Sequence, residues 1–395
     1  MKADSKILRV AKRELGRIAE RRTLYMLSIF LPVILFLLIA VIYKNGMVRN
    51  LPVAIFDEDK SGTTRLLIRS IDATSSMDIT KYVSSVEELK SEFRKGNIQG
   101  AFYFPKEFES ELKKGKKTTV VIYKNTASLI IGNTIYKDGM TVVKTISGGA
   151  LLKKLRSKGL TENKAMNYVN PIRIESQYLY NPNYNYEFYL IPSVIPALLQ
   201  MIIIVAGVLL ISSEFSHNTF NELVEVSGKS IFNIIVGKSL PHLAIHTCTI
   251  LGIVGIIFPL FDVEVKGSII VLIAFLIYFA AACFFIGLLI SSVFHNQFFA
   301  TELAVFLNAP AFMFSGYTFP LWGVPVLHNW FAQILPFTHF VTGYIKIYQM
   351  GAPVHYLIPE VIKLTLFIVL SLVVIWIVLK YQVSKSLKTS AGAIV

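Results

Sequence analysis

Residues 188–212 read FYLIPSVIPALLQMIIIVAGVLLIS, a stretch with no charged side chain and few polar ones. An α-helix rises about 1.5 Å per residue, so about 20 such residues span a hydrocarbon core about 30 Å thick. Comparable apolar stretches occur at 23–43, 241–260, 268–293, 301–320 and 359–379. The chain is therefore predicted to be an α-helical polytopic membrane protein with six transmembrane helices. Its composition, 54% hydrophobic and 16% charged, sets it apart from soluble proteins.

The apolar stretches are spaced unevenly, and the spacing defines the domains. Transmembrane helix 1 is predicted at 23–43, the polar segment 44–187 follows, and transmembrane helices 2–6 fill 188–381. Lysine and arginine are abundant before the first span and again after the last, and cytoplasmic flanks carry such an excess. Both termini, including a tail at 382–395, are therefore predicted to be cytoplasmic, which places 44–187 outside.

Residues 1–22 have an amphipathic pattern. On a helical wheel one side is apolar and the other is cationic; the apolar positions are Ile7, Val10, Ala11, Leu15 and Ile18. Such a pattern is typical of a helix that lies on the inner membrane surface. We therefore predict a cytoplasmic amphipathic interface helix. An ordinary basic flank that orients the first span is the equally open alternative.

The polar segment 44–187 alternates strand and helix signals. The predicted elements, strands and helices together, are 51–56, 63–71, 86–95, 98–104, 105–114 and 118–123. This alternation predicts an inserted extracytoplasmic α/β domain with an open sheet. A long helix is predicted from 127 to 157. The return to the membrane carries tyrosines typical of an interfacial belt: Tyr178, Tyr180, Tyr184, Tyr186 and Tyr189.

Ser227-Gly228-Lys229-Ser230 is similar to the end of a phosphate-binding loop. That loop needs a glycine five positions before Gly228, so that backbone amides can wrap the phosphates, and Leu223 stands there. The sequence therefore predicts no nucleotide site. It also offers no catalytic residues, so the chain is predicted not to be an enzyme and to bind no cofactor itself.

Few polar side chains fall inside the predicted spans, and three of them suggest a function. His242 and His246 are spaced to share a metal ion, but neither a glutamate in the zincin position nor a third acidic ligand accompanies them. They are predicted to pack at a helix interface, with no metal bound. Glu302 is the carboxylate best placed to lie within a span, and it is a candidate intramembrane polar site.

The loop 213–238, between the second and third predicted spans, is expected to hold a pair of helices: a short amphipathic helix and then an apolar helix that leads into the third span. Phe220, Leu223 and Val224 would form the apolar face of the short helix, and the next Ser-Gly pair would break it. An amphipathic helix on the cytoplasmic side suits docking of a soluble partner, and an interfacial elbow is the alternative. If the helix docks a partner, Leu223→Glu is expected to abolish association and leave the protein folded.

In this loop the chain resembles the permeases of type-2 ABC transporters, in the subfamily with a large extracytoplasmic domain between the first two spans. Those permeases carry a Glu-x-x-x-Gly-Thr-x-Glu-x-Leu pattern, then a turn and a Gly-Lys pair. The matching residues are Glu214, Thr219, Leu223, Gly237 and Lys238. Asn218 and Asn221 replace the usual Gly and Glu. The resemblance covers essentially the whole chain, including LPVAIFDEDK at 51–60 and GAFYFP at 100–105.

A second matching region follows the predicted fifth span. Residues 314–320 read FSGYTFP and 335–338 read LPFT, similar to the family's Ser-Gly-x-x-Phe-Pro turn and its Asn-Pro-x-Thr element, with Leu335 in place of Asn. Broken backbone at membrane depth persists only when protein surrounds it or it lines a cavity. An outer re-entrant region is therefore expected at 315–355. Its expected gate residues are Ser315, Gly316, Phe319, Pro320, Pro325 and Pro336.

The resemblance implies the permease subunit of an ATP-binding cassette exporter in a bacterial plasma (inner) membrane. It would move an amphipathic, drug-like or lipid-like substrate out of the cytoplasm or inner leaflet. ATP and Mg²⁺ would bind a separate nucleotide-binding ATPase subunit. The expected docking residues for that subunit are Glu214, Thr219, Phe220, Glu222, Leu223, Val224, Ser227 and Gly228.

Other partners also follow from the resemblance. A second permease chain is expected, as a homodimer or a paralogue heterodimer, together with membrane lipid. A periplasmic adaptor is a candidate partner, and no nucleic acid is expected. The alternative function is an ATP-independent membrane receptor or carrier with an external ligand-binding domain.

Overall fold

The computed structural model describes residues 5–20, 22–43, 48–172, 186–260 and 263–392, together with 175, 177, 179 and 180. Of the predicted tyrosine belt, Tyr178 and Tyr184 lie outside the described residues. The chain forms two compact units. One combines Met1–Gly46 with Tyr178–Val395, and the other covers Met47–Gln177.

Two helices open the chain, α1 (Lys6–Glu20) and α2 (Arg22–Tyr43). α1 has the amphipathic pattern predicted from the sequence, and it buries Val10, Ala11 and Glu14. The burial of a glutamate among apolar residues means that this carboxylate must find a partner inside the protein. α2 forms over the first predicted apolar stretch and includes Pro32.

The Met47–Gln177 unit is a four-stranded sheet with helices, so the predicted α/β domain is confirmed. Its strands are β1 (Leu51–Asp57), β2 (Met77–Tyr82), β3 (Gly100–Phe104) and β4 (Val121–Lys124). In the order β2-β1-β3-β4, β1 is parallel to β2 and β3, whereas β4 is antiparallel to β3. Its helices are α3 (Gly62–Asp72), α4 (Val86–Lys95), α5 (Phe108–Lys113), α6 (Leu129–Ser157) and α7 (Glu162–Val169).

Local sequence explains most of these elements. Successive side chains of a strand point to opposite faces, and accordingly Val53 lies in one apolar core and Ala54 in the other. Ser85 caps α4 by accepting a hydrogen bond from the Glu88 amide, and Gly96 ends it in the left-handed conformation at φ 76°. β2 was not predicted, because its short segment MDITKY carries two charged residues and has no continuous apolar run.

An ion-pair network joins β2 to α4. Lys81 of β2 hydrogen-bonds the carboxylate of Glu92, which also accepts from Asn97 Nδ2 at 2.8 Å and from Lys95 Nζ at 3.1 Å. The hydrogen bond from Lys81, then those from Asn97 and Lys95, lower the pKa of Glu92 to about 2. The edge strand is therefore tied to the helix that covers it.

The remaining helices belong to the other unit. They are α8 (Tyr186–Ser216), α9 (Phe220–Val226), α10 (Ile231–Gly252), α11 (Phe258–Leu260), α12 (Ile269–Val293), α13 (Gln297–Asn308), α14 (Ala311–Phe314), α15 (Val326–Gln333), α16 (Pro336–Tyr348) and α17 (Ile358–Gly392). A π-helical turn, Ile253–Ile257, joins α10 to α11.

Five helical stretches among the described residues are long and apolar enough to cross a membrane. They are Val194–Ser216, Ile231–Leu260, Ile269–Val293, Gln297–Phe314 and Val354–Lys388. Their ends differ from the predicted apolar stretches because hydropathy marks only the most apolar part of a helix, whereas the helix continues through residues such as Lys and Gln that favour it. α13 ends at Asn308, just before Pro310, whose ring and missing N–H disfavour a continuous helix.

Close packing of α8 against α12 fixes the end of α8 that carries Glu214. A Cβ added to Gly207 of α8 would lie 2.6 Å from the carbonyl oxygen of Phe284, and one added to Gly287 of α12 would overlap the carbonyl of Ile204. Glycine at both positions lets the two backbones touch, as is common between membrane helices.

Candidate functional site

The short helix expected in the loop 213–238 forms as α9. Phe220, Leu223 and Val224 are buried in the core of the helical unit, and the Phe220 ring stacks on Phe215 with centroids 4.4 Å apart. Gly228 adopts φ 66° just after the helix, a conformation that favours glycine. These buried side chains therefore anchor α9 to the core of the helical unit.

Glu214, at the C-terminal end of α8, is fully buried and surrounded by donors. Arg13 of α1 reaches it with both terminal nitrogens, at 2.7 Å and 3.1 Å, and Lys238 Nζ of α10 lies 2.7 Å from it. Arg17 of α1 pairs with the same carboxylate, and the Thr219 hydroxyl donates to it. A fork of two hydrogen bonds is the strongest arrangement that arginine and carboxylate form. Glu214 therefore joins α1, α8 and α10.

Glu14 is the second buried carboxylate of the site. Its Oε1 lies 3.2 Å from His242 Nε2, and its other oxygen accepts a hydrogen bond from Lys238. Burial alone would raise the pKa of Glu14, but the charge of Lys238 and the contact with His242 outweigh burial, so the pKa falls well below its usual range. Glu14 is therefore held as a carboxylate.

Arg13 extends the site to the surface. Its Nε lies 3.0 Å from Oε1 of Glu222 on α9, while its terminal nitrogens bind Glu214. The Glu222 side chain is 59% exposed, and the hydrogen bond from Arg13 lowers its pKa. We call the charge cluster the set Arg13, Glu14, Arg17, Glu214, Glu222 and Lys238. Its three cations balance its three carboxylates.

A glycine brings α1 close enough for these contacts. A Cβ on Gly237 would lie 2.6 Å from the Cβ of Val10 and 3.0 Å from the carbonyl oxygen of Ile7. The Gly-Lys pair of the sequence pattern thus has two roles here. Gly237 leaves room for α1 to pack against α10, and Lys238 forms an ion pair with Glu14 of α1. Breaking a buried pair of this kind typically costs about 3–5 kcal/mol, because an uncompensated charge is left behind.

Most of the predicted docking residues face the protein's own interior. Glu214, Phe220, Leu223, Val224 and Ser227 are buried, Thr219 is half-buried beside Glu214, and Gly228 lies next to the Lys6 side chain. Glu222 is the member of that set with an exposed side chain. Glu225 and Lys229 are exposed nearby. Docking through this segment stays a prediction, and these three are its exposed charged side chains.

The predicted re-entrant region is a broken helical segment. Gly316 adopts φ 84°, a short 3₁₀ turn spans Leu321–Gly323, and Pro336 occupies the first turn of α16. Ser315 and Pro336 are buried; Phe319, Pro320 and Pro325 are exposed. The Ser315 hydroxyl donates to the Phe312 carbonyl oxygen at 2.8 Å. A gating role for these residues stays a prediction.

The structure separates Glu302 and His246 from the charge cluster. Glu302 is exposed on α13 and belongs to no ion pair among the described residues. His246 is buried one turn beyond His242 on α10, and its Nε2 has no hydrogen-bond partner in the described part of the chain. Within that part, no three His, Cys, Asp or Glu side chains group so as to hold a metal ion.

Sequence reasoning missed the cluster, although a signal was present. Glu14 stands on the apolar side of α1, in line with Val10 and Ala11, and Lys238 stands in a helix of high hydropathy. A charge on an apolar helix face needs a partner. A buried glutamate on one such helix and a buried lysine on another suggest an ion pair. The sequence does not show that the two helices are in contact, so the pair could not be predicted.

The chain is similar in sequence to known transporter proteins over most of its length. Residues 21–377 match the ABC-2 family transporter proteins. The chain is 21% identical over 330 residues to the probable multidrug ABC transporter permease YbhS of Escherichia coli K12, covering 80% of this chain and 81% of YbhS. It is 23% identical over 349 residues to the probable multidrug ABC transporter permease YbhR of the same organism, covering 88% and 89%. ABC transporter G family member 20 of Dictyostelium discoideum is 23% identical over 317 residues, 79% of this chain and 42% of that protein.

Proposed function

Since the chain belongs to the ABC-2 family of transporter proteins, as a permease, we propose that it is the membrane subunit of an ATP-driven exporter. ABC permeases work with an ATPase subunit, and this chain is proposed to recruit a separate polypeptide for that role. ATP and Mg²⁺ would bind that polypeptide.

The proposed topology has six spans. α2 is the first, because it is a helix of 22 residues with an almost wholly apolar sequence. The five stretches described above supply the others. With an even number of spans and basic flanks at both ends, both termini are cytoplasmic and the α/β domain is external in a bacterial inner membrane.

The observation that carries the proposed mechanism is the position of Arg13. Its guanidinium contacts Glu222 on the exposed side of α9 and Glu214 at the end of α8. An ATPase subunit that displaces α9 would therefore pull on α1 and on the membrane helix α8 through the same side chain. We propose that α9 receives the ATPase and that the charge cluster carries its movement into the membrane helices.

The proposed substrate is an amphipathic, drug-like or lipid-like molecule. The names of YbhS and YbhR, which include the word multidrug, support this class. The path would form between two permease chains. Large exposed side chains on α13, Phe298 at 73% and Phe306 at 77%, support a surface that a second chain covers. The region 315–355 would gate the outer end, and the α/β domain would release the substrate or pass it to a periplasmic adaptor.

Native purification tests this function. The tagged chain is extracted from its own host in a mild detergent, and the proteins that accompany it are identified and quantified by mass spectrometry. A soluble protein with a complete Walker motif, near one-to-one with the permease, is the expected result. Its absence under conditions that keep other ABC transporters intact would favour an ATP-independent receptor or carrier.

A further inference from the structure

A deep groove runs between α1, α2 and α10 in the helical unit. It encloses about 890 Å³, within the range of pockets that hold small molecules. Its walls are mainly apolar and include Leu8, Leu15, Val33, Leu240, Ala244 and Cys248. Leu8 and Leu15 are both about half exposed. An apolar groove of this size needs a hydrophobic occupant.

Two cations of α1 also line this groove. Arg9 and Lys12 are exposed, and neither forms an ion pair with a described carboxylate. The neighbouring Arg13 and Arg17 are instead paired with Glu214 of the charge cluster. The basic residues of α1 thus differ in their partners: Arg13 and Arg17 are neutralised by glutamates, whereas Arg9 and Lys12 line the groove.

The length of the groove matches one leaflet of a bilayer. Along α10 its lining extends from Leu240 to Gly252, about 18 Å at the rise of an α-helix. Half of a hydrocarbon core is about 15 Å. The contact between Gly237 and Val10 lies just before this stretch, where α1 crosses α10. The groove therefore starts near that crossing and follows α10 from Leu240 to Gly252.

We propose that this groove binds an anionic phospholipid, with an acyl chain along Leu240–Gly252 and the phosphate beside Arg9 and Lys12. Basic residues on an amphipathic helix favour anionic headgroups, and the apolar walls accept an acyl chain. Charge complementarity selects this occupant over a lipophilic cation. The site goes beyond the proposed export function and needs neither an ATPase nor a transported substrate.

Cys248 provides a direct probe of occupancy. It lines the groove and is exposed, whereas Cys283 is buried, so maleimide alkylation of the folded protein reports on Cys248. The full-length protein is delipidated in a non-ionic detergent and supplied with phosphatidylglycerol or phosphatidylcholine. Phosphatidylglycerol is expected to slow alkylation several-fold, and phosphatidylcholine much less. Native mass spectrometry should show retained phosphatidylglycerol in the same sample.

Variants assign the effect to the groove. Arg9→Gln with Lys12→Gln should remove the preference for phosphatidylglycerol, and because both side chains are exposed the fold is retained. Lys380→Gln with Lys388→Gln removes the same charge from exposed positions of α17 and should leave protection intact. Ala244→Trp fills the groove and should slow alkylation without added lipid. The proposal is overturned if both lipids protect equally, if the Arg9/Lys12 variant behaves as the parent, or if tetraphenylphosphonium protects Cys248 and phosphatidylglycerol does not.

Discussion

Lys238 Nζ lies 2.7 Å from Glu214 Oε1, and the exposed fractions of the two side chains are 1% and 0%. Lys238 also binds Glu14, so one ammonium on a membrane helix holds carboxylates from two other helices. Buried charges persist only when they are paired and hydrogen-bonded. The attachment of α1 to the membrane helices therefore depends on this lysine, and the first prediction follows from it.

Replacing Lys238 with methionine should loosen α1. The substitution leaves Glu14 and Glu214 short of one cation, and breaking a buried pair costs about 3–5 kcal/mol. Resistance of the detergent-solubilised protein to unfolding by SDS should fall accordingly. Adding Glu14→Gln to Lys238→Met should recover part of the loss, because one uncompensated carboxylate is then gone. Lys229→Met, at an exposed position, is the matched control and should change little; equal effects at the two lysines would refute the pairing.

Gly237→Ala should destabilise the protein and Gly252→Ala should stabilise it, although both residues are on α10. At Gly237 the new methyl group would lie 2.6 Å from the Val10 Cβ, and overpacking costs about 1–3 kcal/mol. At Gly252 nothing lies within 4 Å, so the helix gains up to about 1 kcal/mol from the better helix former. The same SDS titration measures both. Proteolysis between α1 and α2 should accelerate in the first variant only.

Acid should weaken the tie between β2 and α4. The pKa of Glu92, about 2 when folded, is below the usual glutamate value of about 4.3, so its contribution to stability is complete above that usual value. This contribution is lost as the pH falls through about 2, because Glu92 is then protonated in the folded protein as well as in the unfolded protein. Denaturant titrations of residues 47–177 should therefore show a deficit for Glu92→Gln at neutral pH that shrinks toward pH 2. Glu87→Gln, exposed on the same helix and in none of the described ion pairs, is the matched control and should cost less stability at neutral pH.

Leu223→Glu should unfold the loop rather than leave the protein intact. This differs from the expectation drawn from the sequence, because Leu223 is fully buried and a glutamate there would be an unpaired buried charge. Leu223→Ala should already destabilise by about 2–5 kcal/mol. A Leu223→Glu variant with parental yield and SDS resistance would show that α9 is not seated as described.

Hydropathy and local signals predicted much of the fold. The apolar stretches coincide with helices, and α4 begins and ends where Ser85 and Gly96 predict. Helix ends were less accurate: α10 starts at Ile231, ten residues before its apolar stretch was marked, because Ser230 caps a helix that begins outside the most apolar segment. Hydropathy identifies the most apolar part of each membrane helix, whereas capping residues such as Ser230 identify where the helix begins.

The candidate site was predicted only in part. The loop pattern identified Glu214 and Lys238 as members of a family motif, but it assigned Glu214 to a partner surface. The structure shows it bound to Arg13 and Lys238 of its own chain. Contacts between residues some 200 positions apart depend on which helices touch, and one sequence carries no such information. Phe220, Leu223 and Val224 were expected on an apolar face, and that face is turned inward.

The most direct test of the proposed function is the ratio of ATPase to permease in native purifications of two charge-swapped variants. Glu225→Lys with Lys229→Glu exchanges two exposed charges, one on α9 and one just after it, without changing the net charge or the buried cluster. Glu87→Lys with Lys90→Glu does the same on α4 of the α/β domain. If α9 receives the ATPase, the first variant should lose most of the bound ATPase while keeping parental SDS resistance, and the second should keep it all. Full retention of ATPase in the first variant, or loss in both, would contradict docking at α9.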